Sequence, residues 1–192
     1  KATIQRYLEY LEAAFLIKRV NRLGEDGKYF KRQNFFKVYL TNPSIRSALF
    51  APVSDDDGAM AETAVFSQWF HLPTRLHYAR WNKARMQGEV DLILLDSVNK
   101  PKYAVEIKWS DRFIKSRVEP KSLIYFCKKN GLSKSLLTTK TKFGSFTKNG
   151  MQIDFLPLAL YCYWVGEDIL RGKEFSQRFL KKTNDLRYGK VQ

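Results

Sequence analysis

The chain has 192 residues, which at roughly 150 per domain allows one domain and a fraction of a second. Apolar residues make up 44% and aromatic residues 15%, and no apolar run approaches the ~18 residues of a membrane span, so disordered and membrane-spanning classes are excluded. With 34 Lys and Arg against 19 Asp and Glu the formal charge is +15, a balance that favours an anionic partner such as nucleic acid.

The chain opens at Lys1 directly into a helical pattern, with no leader of the signal-peptide kind before it, and reads as a piece of something longer. Ile4, Leu8, Leu11 and Phe15 recur at steps of four, three and four, giving one apolar helix stripe with Thr3, Gln5, Arg6 and Glu9 outside it. Phe15 to Val20 is short and β-prone, a polar loop with Gly24 and Gly27 follows, and Lys37 to Thr41 reads as a returning strand. Helix, strand, loop, strand is the closing half of a winged helix. Asn42 before Pro43 is an N-cap that starts a short helix running to about Phe50.

Ala51 to Gly58 holds Pro52, Ser54 and the triplet Asp55, Asp56 and Asp57, a polar break that divides the chain into segments 1–52 and 53–192. The triplet admits a metal reading, but acidic residues just before a helix also complement its dipole. That helix runs from about Ala59 to Phe70 and carries Glu62. Alternation then makes three strands, Arg75 to Trp81, Glu89 to Asp96 and Lys102 to Ser110, the last two joined as a hairpin through Ser97 to Pro101. Pro120 to Asn130 is helical, with Gly131 as its stop. Ser135 to Thr141 is a strand, Asn149-Gly150 a hairpin-turn dipeptide, and Met151 to Leu156 a further strand. Pro157 then opens a short aromatic helix over Leu158 to Val165, and the tail from Glu167 to Gln192 is basic and partly helical. The fold class is α/β, with a mixed sheet flanked by helices.

The two cysteines, Cys127 and Cys162, lie in apolar surroundings and set no disulfide framework or zinc site, so a reducing cytoplasm is the expected compartment. Only His71 and His77 are available, so a metal would be held mainly by carboxylates, which points to Mg²⁺ or Mn²⁺. Ten of the nineteen carboxylates fall between residues 53 and 130. No phosphate-binding P-loop motif is present in this chain.

The chemistry concentrates in the hairpin. In Val105-Glu-Ile-Lys-Trp109, strand alternation projects Glu106 and Lys108 from one face and Val105, Ile107 and Trp109 from the other. A hairpin closed by Ser97 to Lys100 places Asp91 opposite Glu106. Two facing carboxylates about 5 Å apart at Cβ repel unless a cation or a proton is shared. A divalent cation would resolve the repulsion, and a solvated pair bridged by Lys108 is the alternative.

Glu62 on a helix, Asp91 in a strand and Glu106-x-Lys108 in the next strand resemble the PD-(D/E)xK nuclease superfamily. More closely, Tyr7 to Ile17, Lys37 to Pro43, Ala61 to Phe66, Gly88-Glu-Val-Asp91 and Val105-Glu-Ile-Lys108 resemble the C-terminal domain of prokaryotic AAA+ ATPases. The resemblance covers roughly residues 3 to 165. It implies a restriction-endonuclease-like fold that follows part of a winged helix, and an ATPase domain on the same longer chain. It also implies Asp91 and Glu106 as ligands of Mg²⁺ (or Mn²⁺), Glu62 assisting at the metal, and Lys108 at the attacking water. The Gln and Tyr that some branches place on the helix after E-x-K are not matched, and Trp109 directly follows the lysine.

Three functions stand as expectations: a metal-dependent DNA endonuclease, a catalytically inactive nuclease-fold module that binds DNA or regulates an attached ATPase, and a protein-interaction domain. In a DNA-binding reading the first helix presents Thr3, Gln5 and Arg6 to the duplex while Lys28, Lys31 and Arg32 of the wing meet phosphates. Glu9 and Glu12 on the same helix oppose it, and a packing helix with a solvated face is the alternative. No membrane partner is expected.

Overall fold

The computed structural model describes residues 2–31, 35–51, 56–72, 75–83, 86–116 and 118–171. In chain order these form α1 (Ala2–Ala13), β1 (Ile17–Leu23), β2 (Phe36–Leu40), α2 (Pro43–Leu49), α3 (Asp57–Trp69), β3 (Leu76–Lys83) and β4 (Met86–Leu95). They continue with β5 (Pro101–Glu106), α4 (Arg112–Lys115), α5 (Lys121–Lys129), β6 (Lys134–Thr139), β7 (Gly144–Lys148), β8 (Met151–Pro157) and α6 (Leu158–Leu170).

The eight strands make one mixed sheet in the order β2-β1-β3-β4-β5-β6-β8-β7. The β1–β2, β3–β4, β4–β5 and β7–β8 pairs are antiparallel, and β1–β3, β5–β6 and β6–β8 are parallel. Central strands covered on both faces need near-continuous apolar sequence, and Val90, Leu92, Ile93, Leu94 and Leu95 of β4 are all buried. On one face α3 supplies Val65, Phe66 and Trp69, and α6 supplies Tyr161, Trp164 and Val165. On the other, Phe113 of α4 and Leu123, Phe126 and Cys127 of α5 close a second core. The α/β mixed sheet flanked by helices is therefore the architecture of the protein. Among the described residues, no helix is long and apolar enough to cross a membrane.

The N-terminal hairpin is continuous with this sheet. Asn21, Arg22 and Leu23 of β1 pair with His77, Tyr78 and Ala79 of β3. The β1–β2 loop is tied down as well: Asn130 Nδ2 donates to the Glu25 carbonyl at 3.0 Å and Lys129 pairs with the Glu25 carboxylate at 2.7 Å. Gly27 sits at φ +69° with Pro101 so close that a Cβ would lie 2.3 Å from its Cγ. The boundary drawn at 52/53 thus separates segments that share one sheet.

The N-cap at Asn42 forms as expected, its Oδ1 accepting from Ser44 N at 2.9 Å with Pro43 in the first turn. Other expectations change. The apolar stripe of α1 is mostly uncovered in this structure: Ile4 is 66% exposed, and Leu11 and Phe15 are also open to solvent. What fastens α1 to β1 is polar, the Arg19 guanidinium and backbone N–H both donating to the Glu12 carboxylate. β5 stops at Glu106 although alternation runs on to Ser110, because the next two backbone N–H groups bond to side chains instead of a strand. α6 extends past Val165 to Leu170, beyond Gly166 and Glu167 where the apolar run stops in the sequence, and Asp168 within the extension is buried at 2% exposure. β7 is largely exposed and carries no alternation, so periodicity does not predict it. The Asn149-Gly150 turn that joins it to β8 has φ of 51° and 76°, which such a dipeptide tolerates.

Gly88 lies across from Trp81 in the β3–β4 pair, and the indole covers it: a Cβ on Gly88 would meet Trp81 Cζ2 at 2.2 Å. Trp81 cannot retreat, being buried beside Tyr125 and Phe126. Gly88→Ala should therefore destabilise the fold by about 1–3 kcal/mol through overpacking, measured as a lower midpoint in urea unfolding. A midpoint equal to wild type would show that the indole can move.

Candidate functional site

β4 carries a bulge at the residue of interest. Ala79 pairs with Val90 and His77 with Ile93, so Asp91 and Leu92 together oppose the single residue Tyr78. The extra residue shifts the side-chain phase: Val90 and Ile93 enter the α5-side core, whereas Leu92 and Leu94 enter the α3-side core. Such bulges re-aim a side chain and increase local twist. Beyond it, Leu92, Ile93 and Leu94 pair with Val105, Ala104 and Tyr103, the register that brings Asp91 level with Glu106.

At this level β5 leaves the sheet, and side chains take over its hydrogen bonds. Asp91 Oδ2 accepts from Ile107 N at 2.8 Å. Thr138 of β6 accepts from Lys108 N at 2.7 Å and donates to the Lys108 carbonyl at 3.0 Å. The exposed end of a strand would otherwise leave buried backbone groups unpaired. Val105 and Ile107 enter the α3-side core and Trp109 packs against it, with Trp109 Nε1 donating to Asp57 Oδ2 at 3.2 Å. The bulky residue after the lysine therefore serves the core and the start of α3.

Lys108 Nζ lies 2.8 Å from Glu106 Oε1 and 3.3 Å from Asp91 Oδ2. A second ammonium, from Lys37 of β2, lies 2.5 Å from Glu89 Oε1, 3.4 Å from Glu62 Oε2 and 3.9 Å from Asp91 Oδ1. Tyr39 OH donates to Glu62 Oε2 at 2.8 Å while its ring stacks on Phe66 of α3 at 4.1 Å. Arg80 reaches Glu89 Oε2 from the rim at 3.5 Å. The structure thus brings together all four residues expected at a catalytic centre, Glu62, Asp91, Glu106 and Lys108. It adds Lys37, Tyr39 and Glu89, which had no assigned role. Their signal in the sequence was the spacing of two: Lys37 with Tyr39 and Glu89 with Asp91 repeat the same-face pattern of Glu106 with Lys108.

The electrostatics follow from burial. Asp91 is 4% exposed and Glu106 9%. Burial raises the Asp91 pKa, with Lys108 and Lys37 opposing the rise. Burial and then the Asp91 charge push Glu106 from 4.5 to about 7. Burial would lower Lys108, but Asp91 and Glu106 outweigh it and the net shift is upward. Lys37 is likewise raised on balance, its desolvation overcome by Glu62, Glu89 and Asp91. Both lysines are therefore ammonium ions at neutral pH.

Among the described residues no group of three or more His, Cys, Asp or Glu is arranged to hold a metal ion; the two ammonium groups stand between the carboxylates. The donor chemistry nonetheless suits a hard divalent cation. Every candidate ligand is a carboxylate oxygen, the four carboxylates outnumber the two inner ammonium groups, and Glu106 Oε2 is buried without a hydrogen-bond partner. Asp56 and Asp57 take other partners: Asp56 pairs with Arg46, and Asp57 accepts from Trp109. Asp55 lies outside the described residues.

The residues expected to meet DNA sit elsewhere. Thr3, Gln5 and Arg6 are exposed on α1, with Gln5 Nε2 donating to Glu9 Oε1 at 2.9 Å. Lys28 and Lys31 are exposed in the β1–β2 loop, and Arg32 lies outside the described residues. No family model, curated protein or solved structure matches the chain.

The Glu106 shift has a sign. The folded protein holds this proton up to about pH 7 and the unfolded chain releases it near 4.5, so folding takes up a proton between those values and stability falls as pH rises through them. Asp91 shifts in the same direction. Glu106→Gln should therefore shrink the stability difference between about pH 5 and about pH 8 in cation-free buffer, measured by urea unfolding. An unchanged difference would show that Glu106 is ionised throughout.

Proposed function

We propose that this protein is a metal-dependent deoxyribonuclease of the PD-(D/E)xK kind, hydrolysing phosphodiester bonds, and that it works as part of a longer chain with an ATPase domain. The observation that carries this reading is the buried pair Asp91 and Glu106 on either side of Lys108, where the β4 bulge meets the end of β5, with Glu106 Oε2 left without a partner. Asp91 and Glu106 would hold Mg²⁺ or Mn²⁺, with Glu62 beside them. When bound, such an ion acts as a Lewis acid on the phosphoryl oxygen and lowers the pKa of its water.

The chain's own residues do the rest. Lys108 is a donor and a fixed positive charge, not a base, because its carboxylate partners keep it protonated. Placed at the end of β5, it neutralises charge that develops on the phosphate as water attacks phosphorus and the P–O bond breaks. Thr138 fixes the backbone on which Lys108 rides, through hydrogen bonds to both its N–H and its carbonyl. Burial of Asp91 and Glu106 limits water around the reacting groups, which strengthens each charge interaction.

Binding of DNA is supported by the +15 charge. It is also supported by a cleft of about 730 Å³ beside Arg80, lined by Arg22, Phe30, Trp81 and Lys129 among others. α1 is open along its length, and Glu12, one of the two acids that oppose a recognition role, is neutralised by Arg19. On this reading α1 with Thr3, Gln5 and Arg6 and the loop with Lys28 and Lys31 act as the closing half of a winged helix. A second reading, a catalytically inactive nuclease-fold module that binds DNA or regulates an attached ATPase, is favoured by one observation: both spaces between the carboxylates already contain an ammonium group.

Nicking of supercoiled plasmid separates the two. The enzyme reading expects Mg²⁺-dependent nicking by wild type, none by Asp91→Ala, and a loss of about 10²–10³ in rate for Lys108→Ala with Mn²⁺ binding retained. Absence of cleavage of linear, branched and single-stranded DNA, with Mg²⁺ and with Mn²⁺, would leave the inactive module.

A further inference from the structure

β1 and β3 run parallel but part early. Their pairing ends at Leu23 with Ala79, while β3 continues to Lys83 paired with β4. Past that point the start of the β1–β2 loop, the end of β3 and the end of α5 line the cleft of about 730 Å³. A crevice beyond the carboxyl ends of parallel strands is where α/β sheets hold ligands, and this one has the size of a small-ligand site.

One wall of the cleft is cationic and aromatic together. The Arg22 guanidinium carbon lies 4.5 Å from the Phe30 ring centroid and 4.0 Å from that of Phe35. Both rings are partly open, at 36% and 54% exposure. Among the described residues Arg22 Nε is buried with no hydrogen-bond partner, so the two rings are what hold the guanidinium in place. The acids of the cleft are engaged elsewhere: Glu25 pairs with Lys129 at 2.7 Å, and Asp26 accepts from Lys28 N at 3.3 Å. Arg80, 67% exposed, lines the same cleft and reaches Glu89, two residues from Asp91. Cleft and carboxylate cluster therefore adjoin.

A planar cation set against open aromatic rings takes up a further flat π-system by stacking, and every nucleobase offers one. Bases inside a duplex have both faces covered by their neighbours, whereas an unpaired base does not. We propose that this cleft is a stacking site for an unpaired nucleotide: the base stacks on Phe30 and the Arg22 guanidinium, and its phosphate meets Arg80. The DNA that the carboxylate cluster receives then carries a single-stranded segment. This inference deepens the deoxyribonuclease reading and rests on DNA as the partner, but on no metal.

Fluorescence anisotropy of the full chain with a labelled single strand and with a duplex tests it, in EDTA so that cleavage plays no part. Phe30→Ala, and Arg22→Lys, which keeps the charge and loses the plane, should each weaken single-strand binding at least about fivefold while duplex binding stays within about twofold. Wild type should bind a strand made abasic throughout at least about fivefold more weakly than the intact strand. Equal loss on single strand and duplex, or no loss on either with circular dichroism unchanged, overturns the inference and leaves DNA binding standing. Equal affinity of wild type for the abasic and the intact strand does the same. Should the variants fail to fold, the wild-type protein decides. Photo-crosslinking of an iododeoxyuridine strand should join it to Phe30, Phe35 or Trp81, and adducts confined to other residues overturn the inference. No binding of either DNA by wild type at about 50 mM salt overturns it together with DNA as the partner.

Discussion

The arrangement of the whole site depends on one carboxylate held inside the protein. Asp91 is almost fully buried, and a buried charge is costly unless it is paired and hydrogen-bonded. Here one oxygen takes the Ile107 N–H and the Lys108 ammonium, and the other faces Lys37. Each of those partners has a structural consequence. The bond to Ile107 ends β5 after Glu106, the ion pair with Lys108 turns the E-x-K segment towards β4, and the approach of Lys37 holds the N-terminal edge of the sheet against the same point. The bulge at Asp91 and Leu92 makes this possible by allowing β4 to put a polar residue beside a core-facing leucine.

The charge distribution then has a simple logic. A protein of formal charge +15 carries a local cluster of four carboxylates, from α3, β4 and β5. Two lysines from opposite sides of the cluster, one on the edge strand and one just past β5, neutralise part of it. The remaining surplus appears in the upward shift of Glu106, caused first by burial and then by Asp91. On the reading proposed above, a basic chain around an acidic cluster suits phosphodiester chemistry.

The N-terminal hairpin has two attachments of different character. Its loop is fixed to the β5 and α5 side through Glu25 and the close approach of Gly27 to Pro101. Its β2 end meets α3 through Tyr39 and the acidic centre through Lys37. The helix ahead of it makes mainly a polar link and keeps its apolar stripe exposed. Segment and sheet thus meet at the acidic cluster as well as through the β1–β3 pairing.

Local sequence determined a good deal of this protein. Most strands and helices follow from periodicity, because alternation of two and steps of three and four report which face of an element is buried. The N-cap at Asn42 and the turn at Asn149-Gly150 follow from short-range backbone chemistry; the expected register holds around Leu92 and Val105, but an irregularity at Leu94/Leu95 pairs Leu95, not Asp96, with Pro101, so loop length alone did not set it. The meeting of Asp91 with Glu106 was legible because both lie on one hairpin, with Lys108 two residues further on, whereas Glu62 was placed beside them only by the family resemblance. What only the tertiary structure decided is long-range: the parallel pairing of β1 with β3, the bulge that re-aims Asp91, and the insertion of Lys37 among Glu62, Glu89 and Asp91. A sequence window sees Lys37 as one of 34 basic residues. Its role exists only because a strand 54 positions away from Asp91 in the chain is brought to the same end of the sheet, where the energy of a buried charge selects its partner by distance in space.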